Sequence, residues 1–171
     1  MTIERIWAMP NKNTFTIKPI KELLTIEMTK GKWVDPFAND SKLATITNDL
    51  NPRFQTDYHI DALEFLRMFE ANSIDGVLYD PPYSLEQVRL HYENYGLNVT
   101  DKKAGKMFNA RHKQEIGRIV KVGGKVISFG WNSGGIGKKY GFEMQKILLV
   151  PHGGHRNDTI CTVETKVKEV K

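Results

Sequence analysis

The sequence predicts an α/β fold with a mostly parallel sheet and an antiparallel hairpin near its C-terminal end. Apolar runs of strand length alternate with segments of helical period up to residue 130. One run, "IDGVLYD" at residues 74–80, is apolar on both faces, as in a strand that is covered on both sides of a parallel sheet. Two later strand-like runs joined by a glycine turn predict the hairpin.

The element predictions follow from period, caps and turn residues. Apolar residues at helical spacing predict helices at 16–31, 61–69 and 113–124, with Pro19 and Asp61 at two starts and Gly31 and Gly123-Gly124 at two ends. Strands are predicted at 32–37, 44–52, 56–60, 74–80, 125–130, 143–154 and 158–167. Residues 84–110 have no clear period and are predicted to be a partly helical excursion.

Composition bounds the class of protein. A chain of 171 residues with 40% hydrophobic and 26% charged residues is expected to form one globular domain, residues 1–171. No apolar run approaches the roughly 18 residues that cross a bilayer, and "MTIERIWAMPNKN" lacks the apolar core of a signal peptide, so we expect a cytoplasmic protein. The net charge of +5 favours a polyanionic partner.

Cysteine and histidine usage does not indicate a metal centre. The lone Cys161 has no second cysteine for a disulfide or a zinc site and is predicted to be a strand residue. His152, His155 and Asp158 lie close in "HGGHRND" but lack a fourth ligand, so we interpret them as turn residues. No metal is expected.

Acidic residues follow the predicted strands. Asp35, Asp49 and Asp80 stand at strand ends, and Asp61 follows another strand. Because ligands in such sheets bind at the carboxyl ends of the strands, we expect all four acids to line one rim.

The segment "DGVLYDPPYS" allows two interpretations. Two prolines are an ordinary way to stop a strand. Alternatively, Asp80 offers a carboxylate, Pro81 a backbone carbonyl and Tyr83 a stacking face, which are the groups needed to orient the weakly nucleophilic amino group of a nucleobase for methylation.

The tetrapeptide "DPPY" resembles the catalytic motif of S-adenosylmethionine-dependent amino-methyltransferases, particularly those that act on N6 of adenine in DNA. Further segments resemble the family's motifs in the same order: "FTIKPIKELL", "VDPFAN", "TNDLNP", "DYHIDALEFL" and "RIVKVGGKVISFG". The pattern is similar to small phage-type DNA adenine methyltransferases. The resemblance implies a Rossmann-like class I methyltransferase fold, S-adenosylmethionine as cofactor, DNA as substrate, and a bacterial or phage-infected host cell.

The same resemblance implies the site residues. Asp49 would bind the ribose hydroxyls of the cofactor, and Asp61 with Ala62 would approach its adenine. The implied catalytic residues are Asp80, Pro81, Pro82 and Tyr83. The implied cofactor-binding residues are Lys18, Pro19, Asp35, Pro36, Phe37, Ala38, Asn39, Asp49, Leu50, Asp61, Ala62 and Asp80.

Two departures from the family pattern bear on this reading. The usual "DPFxGxG" loop is "DPFANDS" here, so Asn39 or Asp40 would have to adopt the left-handed backbone that glycine normally supplies, and little room remains for a first crossover helix before Asp49. Nothing between residues 84 and 171 is long enough for a separate target-recognition domain. Specificity would then be relaxed, or supplied by a partner or by a second subunit of a homodimer.

The excursion carries the remaining substrate predictions. At 84–113 basic residues alternate with Tyr92, Tyr95 and Phe108, a mixture that suits a phosphate backbone and an unstacked base, so this segment is either a DNA-contacting lid or a mobile solvated loop. Trp131 follows a strand on the same rim and either walls the base pocket or packs. The predicted substrate-binding residues are Tyr83, Arg89, Lys102, Lys103, Lys106, Arg111 and Trp131, and Lys113 belongs to the same basic run.

Other functions remain open from the sequence. The same chemistry could act on N4 of cytosine, on an RNA adenine or on a protein glutamine, although the leading Asp of "DPPY" favours adenine within the family. A catalytically silent nucleic-acid-binding module on the same fold is the alternative from another class, and the glycine-free cofactor loop motivates it.

Overall fold

The protein has a single seven-stranded sheet with helices on both faces. The computed structural model describes residues 1–93, 102–154 and 156–169, with backbone only at 85, 88, 91 and 102–107. The strands are β1 (Thr2–Arg5), β2 (Trp33–Asp35), β3 (Ile46–Thr47), β4 (Ile74–Tyr79), β5 (Val120–Gly130), β6 (Phe142–Val150) and β7 (Thr159–Lys166). The helices are α1 (Lys18–Glu27), α2 (Ala62–Arg67), α3 (Leu85–Glu93) and α4 (Lys102–Ile119).

The strand order is β1-β6-β7-β5-β4-β2-β3. Strand β7 runs antiparallel to both β5 and β6, and every other neighbouring pair is parallel. The predicted parallel sheet and C-terminal antiparallel hairpin are therefore confirmed. The order places β4 between β2 and β5, in the interior of the sheet, with its carboxyl end beside that of β2.

Each face of the sheet has its own apolar core. On one face α2 and α4 cover Val34, Val77 and Val126. On the other, α1 and the residues before it cover Trp33, Leu78 and Ile127 in a second cluster. Strand β4 contributes to both clusters, which explains why its sequence is apolar without alternation.

The predicted strand at 56–60 is wrong. Its only ladder contact is an isolated parallel bridge between Tyr58 and Asn48. Side-chain hydrogen bonds supplement this short backbone pairing, because Asp57 Oδ2 accepts from both the backbone N–H and the hydroxyl of Thr47, at 2.8 Å each. Strand β3 likewise covers only Ile46–Thr47 of the predicted 44–52.

The predicted helix at 113–124 ends too late. Helix α4 stops at Ile119, and Gly123-Gly124 lie inside β5. The β4–β5 register shifts between Ile74 and Gly76, so the extra residues of β5 form a bulge, and Gly123 adopts a φ of 86° within it. The glycine pair therefore serves a strand irregularity and not a helix cap.

Strand β1 was not predicted from the sequence. It pairs parallel to β6 at the sheet edge, and its side chains are exposed, so it carries no apolar alternation to detect.

The expected lack of room for a first crossover helix is confirmed, because the segment between Asp35 and Ile46 contains no helix. Parallel neighbours usually need a dozen or more residues for such a crossover.

Gly76 lets β4 pass beneath the indole of Trp33. A Cβ at Gly76 would lie 2.5 Å from the Trp33 ring, which is held in place by its Nε1 donating to the Thr29 carbonyl at 2.9 Å. We expect Gly76→Ala to lower the free energy of unfolding by about 1–3 kcal/mol through overpacking. Urea denaturation measures this. Gly130→Ala in β5 is the matched control, because its Cβ would have no neighbour nearer than 4.0 Å, and an equal loss at both positions would contradict the packing explanation.

Candidate active site

The loop that leaves β4 holds Asp80 and Tyr83 against each other. Asp80 directly follows the buried end of β4, and the Tyr83 hydroxyl donates a hydrogen bond to Asp80 Oδ1. Thr14, just ahead of α1, also hydrogen-bonds to the Asp80 carboxyl through its side chain. Two segments distant in sequence therefore meet at one carboxylate.

The start of α3 fixes the position of Tyr83. Ser84 Oγ accepts from the Gln87 backbone N–H at 3.1 Å, and Gln87 Oε1 accepts from the Tyr83 backbone N–H at 2.8 Å. This reciprocal pattern resembles a capping box, in which side chains three residues apart satisfy the free N–H groups at a helix start. The prolines and this cap together define the backbone of the "DPPYS" segment.

Burial makes Asp80 a weak acid that is poised near neutrality. Loss of hydration raises the pKa of Asp80 to about 6, although the hydrogen bonds from Tyr83 and Thr14 oppose the shift. The folded pKa exceeds the ordinary value of 3.8, so ionising this group costs more in the folded state, and its effect on stability becomes less favourable as the pH rises from about 4 to 6. Above pH 6 the carboxylate form dominates.

Asp35 ends β2 and is fully buried. Its Oδ1 accepts from the Phe37 backbone N–H at 3.0 Å, whereas its Oδ2 has no hydrogen-bond partner among the described residues. Burial raises the pKa of Asp35 well above its usual range, and the nearby charges of Asp80 and Asp49 raise it further. An orphaned buried oxygen of this kind is rare and suits a ligand that brings a donor.

Asn39 takes the backbone conformation that glycine usually supplies. Its φ is 49°, in the left-handed region, as the sequence predicted for Asn39 or Asp40. Its backbone N–H donates to Asp49 Oδ2 at 2.9 Å, while Asp49 Oδ1 accepts from the Asn51 N–H at 2.9 Å. The loop after β2 is thereby tied to the end of β3, and each Asp49 oxygen retains a second acceptor position.

A cavity of about 380 Å³ opens between these groups. It lies at the carboxyl edge of β2, β3 and β4, where Asp49 and Asp80 face it from two sides. Its walls comprise Thr14, Phe37, Asn39, Asp49, Asp80, Pro81, Pro82, Tyr83 and Gln87. Six of these nine residues come from the two predicted loops: Phe37 and Asn39 from "DPFANDS", and Asp80, Pro81, Pro82 and Tyr83 from "DPPYS".

Other predicted cofactor residues lie outside the walls of this cavity. Asp61 is the N-cap of α2: its Oδ1 accepts from the backbone N–H groups of Leu63 and Glu64, and its Oδ2 accepts from the Tyr92 hydroxyl at 2.5 Å. Seven other predicted residues lie outside the walls: Lys18 is exposed, Leu50 is half-buried, and Pro19, Asp35, Pro36, Ala38 and Ala62 are buried. Of these, Ala38 lines a smaller neighbouring cavity that also reaches Asp80.

Of the seven predicted substrate residues, the side chains of Tyr83, Arg89, Arg111 and Trp131 lie within the described part of the chain. Trp131 is 42% exposed and packs its ring against Tyr83, with centroids 5.5 Å apart and planes at 63°. Arg89 and Arg111 are exposed, and Arg89 pairs with Glu93 at 3.4 Å. The side chains of Lys102, Lys103 and Lys106 lie outside the described residues, as does Tyr95, so the prediction for them stays a prediction.

Two residues of the site, Thr14 and Gln87, are not among the residues predicted from the sequence. Thr14 carries no motif of its own; only its place one residue before "FTIKPIKELL" could have indicated it. Gln87 could have been found, because Ser84 followed three residues later by Gln is a capping-box signature.

The turn residues and Cys161 agree with their interpretation. His152 Nδ1 lies 2.8 Å from the Ala8 carbonyl and its Nε2 lies 2.8 Å from the Thr159 hydroxyl, while Cys161 is buried in β7. His155 lies outside the described residues. Within the described part of the chain, no group of three His, Cys, Asp or Glu side chains is arranged to hold a metal ion, and no helix is long and apolar enough to span a bilayer.

Comparisons with known proteins were made at the level of sequence and of structure. No protein-family model matches the chain, and no curated protein matches its sequence. Solved structures do match. TrmN from Thermus thermophilus superimposes with a TM-score of 0.58 at 15% identity, over 89% of this chain and 49% of that one. The chain thus spans about half the length of the TrmN structure.

Two further structures extend the same comparison. The 1,6-didemethyltoxoflavin-N1-methyltransferase of Burkholderia thailandensis, with bound S-adenosylhomocysteine, gives a TM-score of 0.57 at 12% identity over 88% of this chain and 78% of that one. A SAM-dependent methyltransferase from Methanosarcina mazei gives 0.51 at 10% identity over 86% and 98%. The fold is that of the Rossmann-like class I methyltransferases. Of these neighbours, the Methanosarcina protein is described as SAM-dependent and the Burkholderia enzyme holds S-adenosylhomocysteine.

The hydrogen bond from Tyr83 should be visible in the titration of Asp80. In Tyr83→Phe the carboxylate loses this donor, so we expect the pKa of Asp80 to rise above the value of about 6 found with Tyr83 present. Carbon-detected NMR titration of the aspartate carboxyl groups measures the midpoint. Tyr140→Phe, which removes a hydroxyl near the Ala110 carbonyl, is the control and should leave Asp80 unchanged. A midpoint that moves down or stays fixed in Tyr83→Phe would contradict the assigned hydrogen bond.

Proposed function

We propose that this chain is an S-adenosylmethionine-dependent methyltransferase that methylates the N6 amino group of adenine in DNA. The observation that carries the proposal is the position of the Asp80 carboxylate, directly after the buried strand β4, hydrogen-bonded to Tyr83 and facing a cavity that Asp49 also lines. The methyltransferase fold supports it, and the order of motifs in the sequence supports the choice of adenine.

The residues around the cavity fit the cofactor by chemistry. Asp49 lines the cavity and retains acceptor capacity for a ribose diol. Phe37 supplies apolar surface at the wall. When bound, the cofactor would supply an electrophilic methyl group on a sulfonium.

The chain's own part in the reaction is to orient the amino group. An amino group conjugated to a ring is a poor nucleophile, and acceptors at Asp80 and the Pro81 carbonyl would align its lone pair with the methyl group. The target adenine would leave the helical stack and lie against Tyr83. The Tyr83 hydroxyl already donates to Asp80 Oδ1, and the amino group would use another acceptor position of the same carboxylate.

Substrate recognition beyond the base is also proposed. With a net charge of +5, the chain suits a polyanion, and we assign residues 84–113 to a DNA-contacting lid that includes α3 and the start of α4. A second subunit or a separate specificity partner would complete target recognition.

A silent nucleic-acid-binding module is the second candidate, since the loop after β2 has no glycine. The backbone conformation of Asn39 weakens this alternative, because Asn39 adopts the left-handed φ that the loop needs although the loop has no glycine. Binding of S-adenosylmethionine, measured by calorimetry, separates the two: a silent module need not bind it.

Asp80→Ala should greatly slow methylation, and because Asp80 also lines the proposed cofactor cavity, binding of S-adenosylmethionine is measured in parallel by calorimetry. The carboxylate is the acceptor for the amino group, so we expect a loss of at least about a hundredfold in rate. The measurement is digestion of treated adenine-containing duplex DNA to nucleosides and quantification of N6-methyladenine. The control is Glu143→Ala, at an exposed position of β6. Full methylation by Asp80→Ala would exclude the assigned role.

Asn39 should tolerate glycine but not a β-branched residue. We expect Asn39→Gly to bind S-adenosylmethionine as well as the wild type, because glycine adopts a φ of 49° without strain. Asn39→Val should bind about tenfold or more weakly, since a β-branched side chain opposes this conformation and displaces the N–H that holds Asp49. Titration calorimetry of the three proteins is the test, and equal affinities would show that the loop conformation does not matter for binding.

A further inference from the structure

A second, smaller cavity adjoins the larger one at the Pro81–Tyr83 segment. Its volume is about 80 Å³, and Pro81, Pro82 and Tyr83 line both cavities. Its other sides come from α4, from the end of β5 and from the loop that follows β5. These contribute Asn109 and Lys113, then Ser128 to Gly130, then Trp131, Asn132 and Gly135.

Lys113 brings an unpaired cation to this cavity. Its side chain is half-buried, and burial lowers the pKa of Lys113 even though the charge of Glu164 favours the ammonium form. No described residue forms a hydrogen bond or an ion pair within 4.0 Å with its Nζ. Glu164 is engaged elsewhere, because its carboxylate accepts from the backbone N–H groups of Ile136 and of Gly137.

Ser128 and Asn109 add further donors. Ser128 is 7% exposed, and its hydroxyl has no partner among the described residues. Asn109 Oδ1 already accepts from the Tyr79 hydroxyl at 3.1 Å, which leaves the amide N–H groups of Asn109 for another acceptor. A buried hydroxyl without a partner is unusual in a native protein, so its position in a lined cavity points to a ligand.

The polar groups of this cavity that lack a partner among the described residues are therefore mainly hydrogen-bond donors, so a ligand there must bring acceptors. We propose that Lys113, with Ser128 and Asn109, binds the bare ring nitrogens of the target nucleobase while the amino group of that base lies at Asp80 and Pro81. This inference rests on the proposed function and deepens it, because it assigns the residues that would read the ring.

The proposed arrangement distinguishes among substrate classes. Adenine presents only acceptors at its unsubstituted ring nitrogens, and cytosine presents an acceptor nitrogen beside its amino group. Guanine and thymine instead carry a ring N–H, which is a donor and would face the Lys113 ammonium, also a donor, without a hydrogen bond. A protein glutamine has no ring to reach Lys113. The cluster therefore favours adenine or cytosine over the other bases and over an amide side chain.

Entry of a base requires one rearrangement. Tyr83 and Trp131 now touch edge to face at 5.5 Å, and a stacked ring between them would need their planes to part. Trp131 follows β5 on an exposed loop and is 42% exposed, so the movement disturbs little of the core.

The test is a cycle that pairs Lys113→Met with adenine analogues. Duplex oligonucleotides carry adenine, 1-deazaadenine, 3-deazaadenine or 7-deazaadenine at the methylated position, and kcat/KM is measured for each with wild type and variant. The analogue that lacks the contacted nitrogen should lose about tenfold or more with the wild type, as for a hydrogen bond to a charged donor. With Lys113→Met the same analogue should lose no further activity relative to adenine. The cycle cancels any effect of the deaza substitution on the amino group itself.

Controls separate contact from charge and from folding. Lys139→Met removes a positive charge from an exposed position away from the cavity and should show the wild-type analogue pattern. Ser128→Ala and Lys113→Gln repeat the cycle with smaller changes, and thermal melting together with calorimetry of S-adenosylmethionine confirms that each variant folds and binds the cofactor. If nucleoside analysis finds N4-methylcytosine, 3-deazacytosine replaces the adenine analogues.

The outcomes are distinct. Loss of discrimination for one analogue in Lys113→Met, with Lys139→Met unchanged, supports the inference. Equal discrimination in wild type and in all cavity variants overturns it but leaves base methylation intact. Failure of the wild type to methylate unmodified DNA removes the proposed function, and with it this inference.

Discussion

The placement of β4 between β2 and β5 is the constraint on which the site depends. Val77 pairs with Val34 on one side and Leu78 with Ile127 on the other, and both β4 residues are fully buried. A strand held from both sides and packed on both faces cannot shift at its end, so the residue that follows it, Asp80, has a defined position. The hydrogen bonds that hold Tyr83 and Thr14 to Asp80 then act on a fixed point.

Electrostatics at this edge follow from the same arrangement. Parallel strands bring their carboxyl ends together, so Asp35 and Asp80 lie near each other, with Asp49 on the adjoining loop. The backbone N–H groups of Phe37, Asn39 and Asn51 stabilise two of these carboxyls but leave Asp35 Oδ2 without a partner. An acidic edge with spare acceptors is suited to a cationic ligand, which is the electrostatic basis of the proposed S-adenosylmethionine site.

Several supports of the site come from residues that have no part in the proposed chemistry. Asp61 caps α2 and accepts from Tyr92 on α3, and so joins the two helices that flank the edge. Glu164 on β7 holds the loop after β5 through the N–H groups of Ile136 and Gly137, and this loop carries Trp131. At Gly135 a Cβ would clash with the Glu164 carboxyl, so the glycine at this position is explained by close approach to a buried acid.

The sequence by itself determined the features that depend on neighbours in the chain. The apolar run of β4, the proline stop at Pro81-Pro82, the Ser84 cap and the left-handed tolerance of Asn39 are all local, and the sequence predicts all of these except the Ser84 cap. Only the tertiary structure decided the contacts between distant segments. Thr14 reaches Asp80, the Asp57 carboxylate accepts from Thr47, and Lys113 shares a cavity with Ser128, because packing of the two sheet faces brings them together. Period and turn chemistry report the conformation of a segment, whereas these pairings depend on which surfaces meet, and no short stretch of sequence records that.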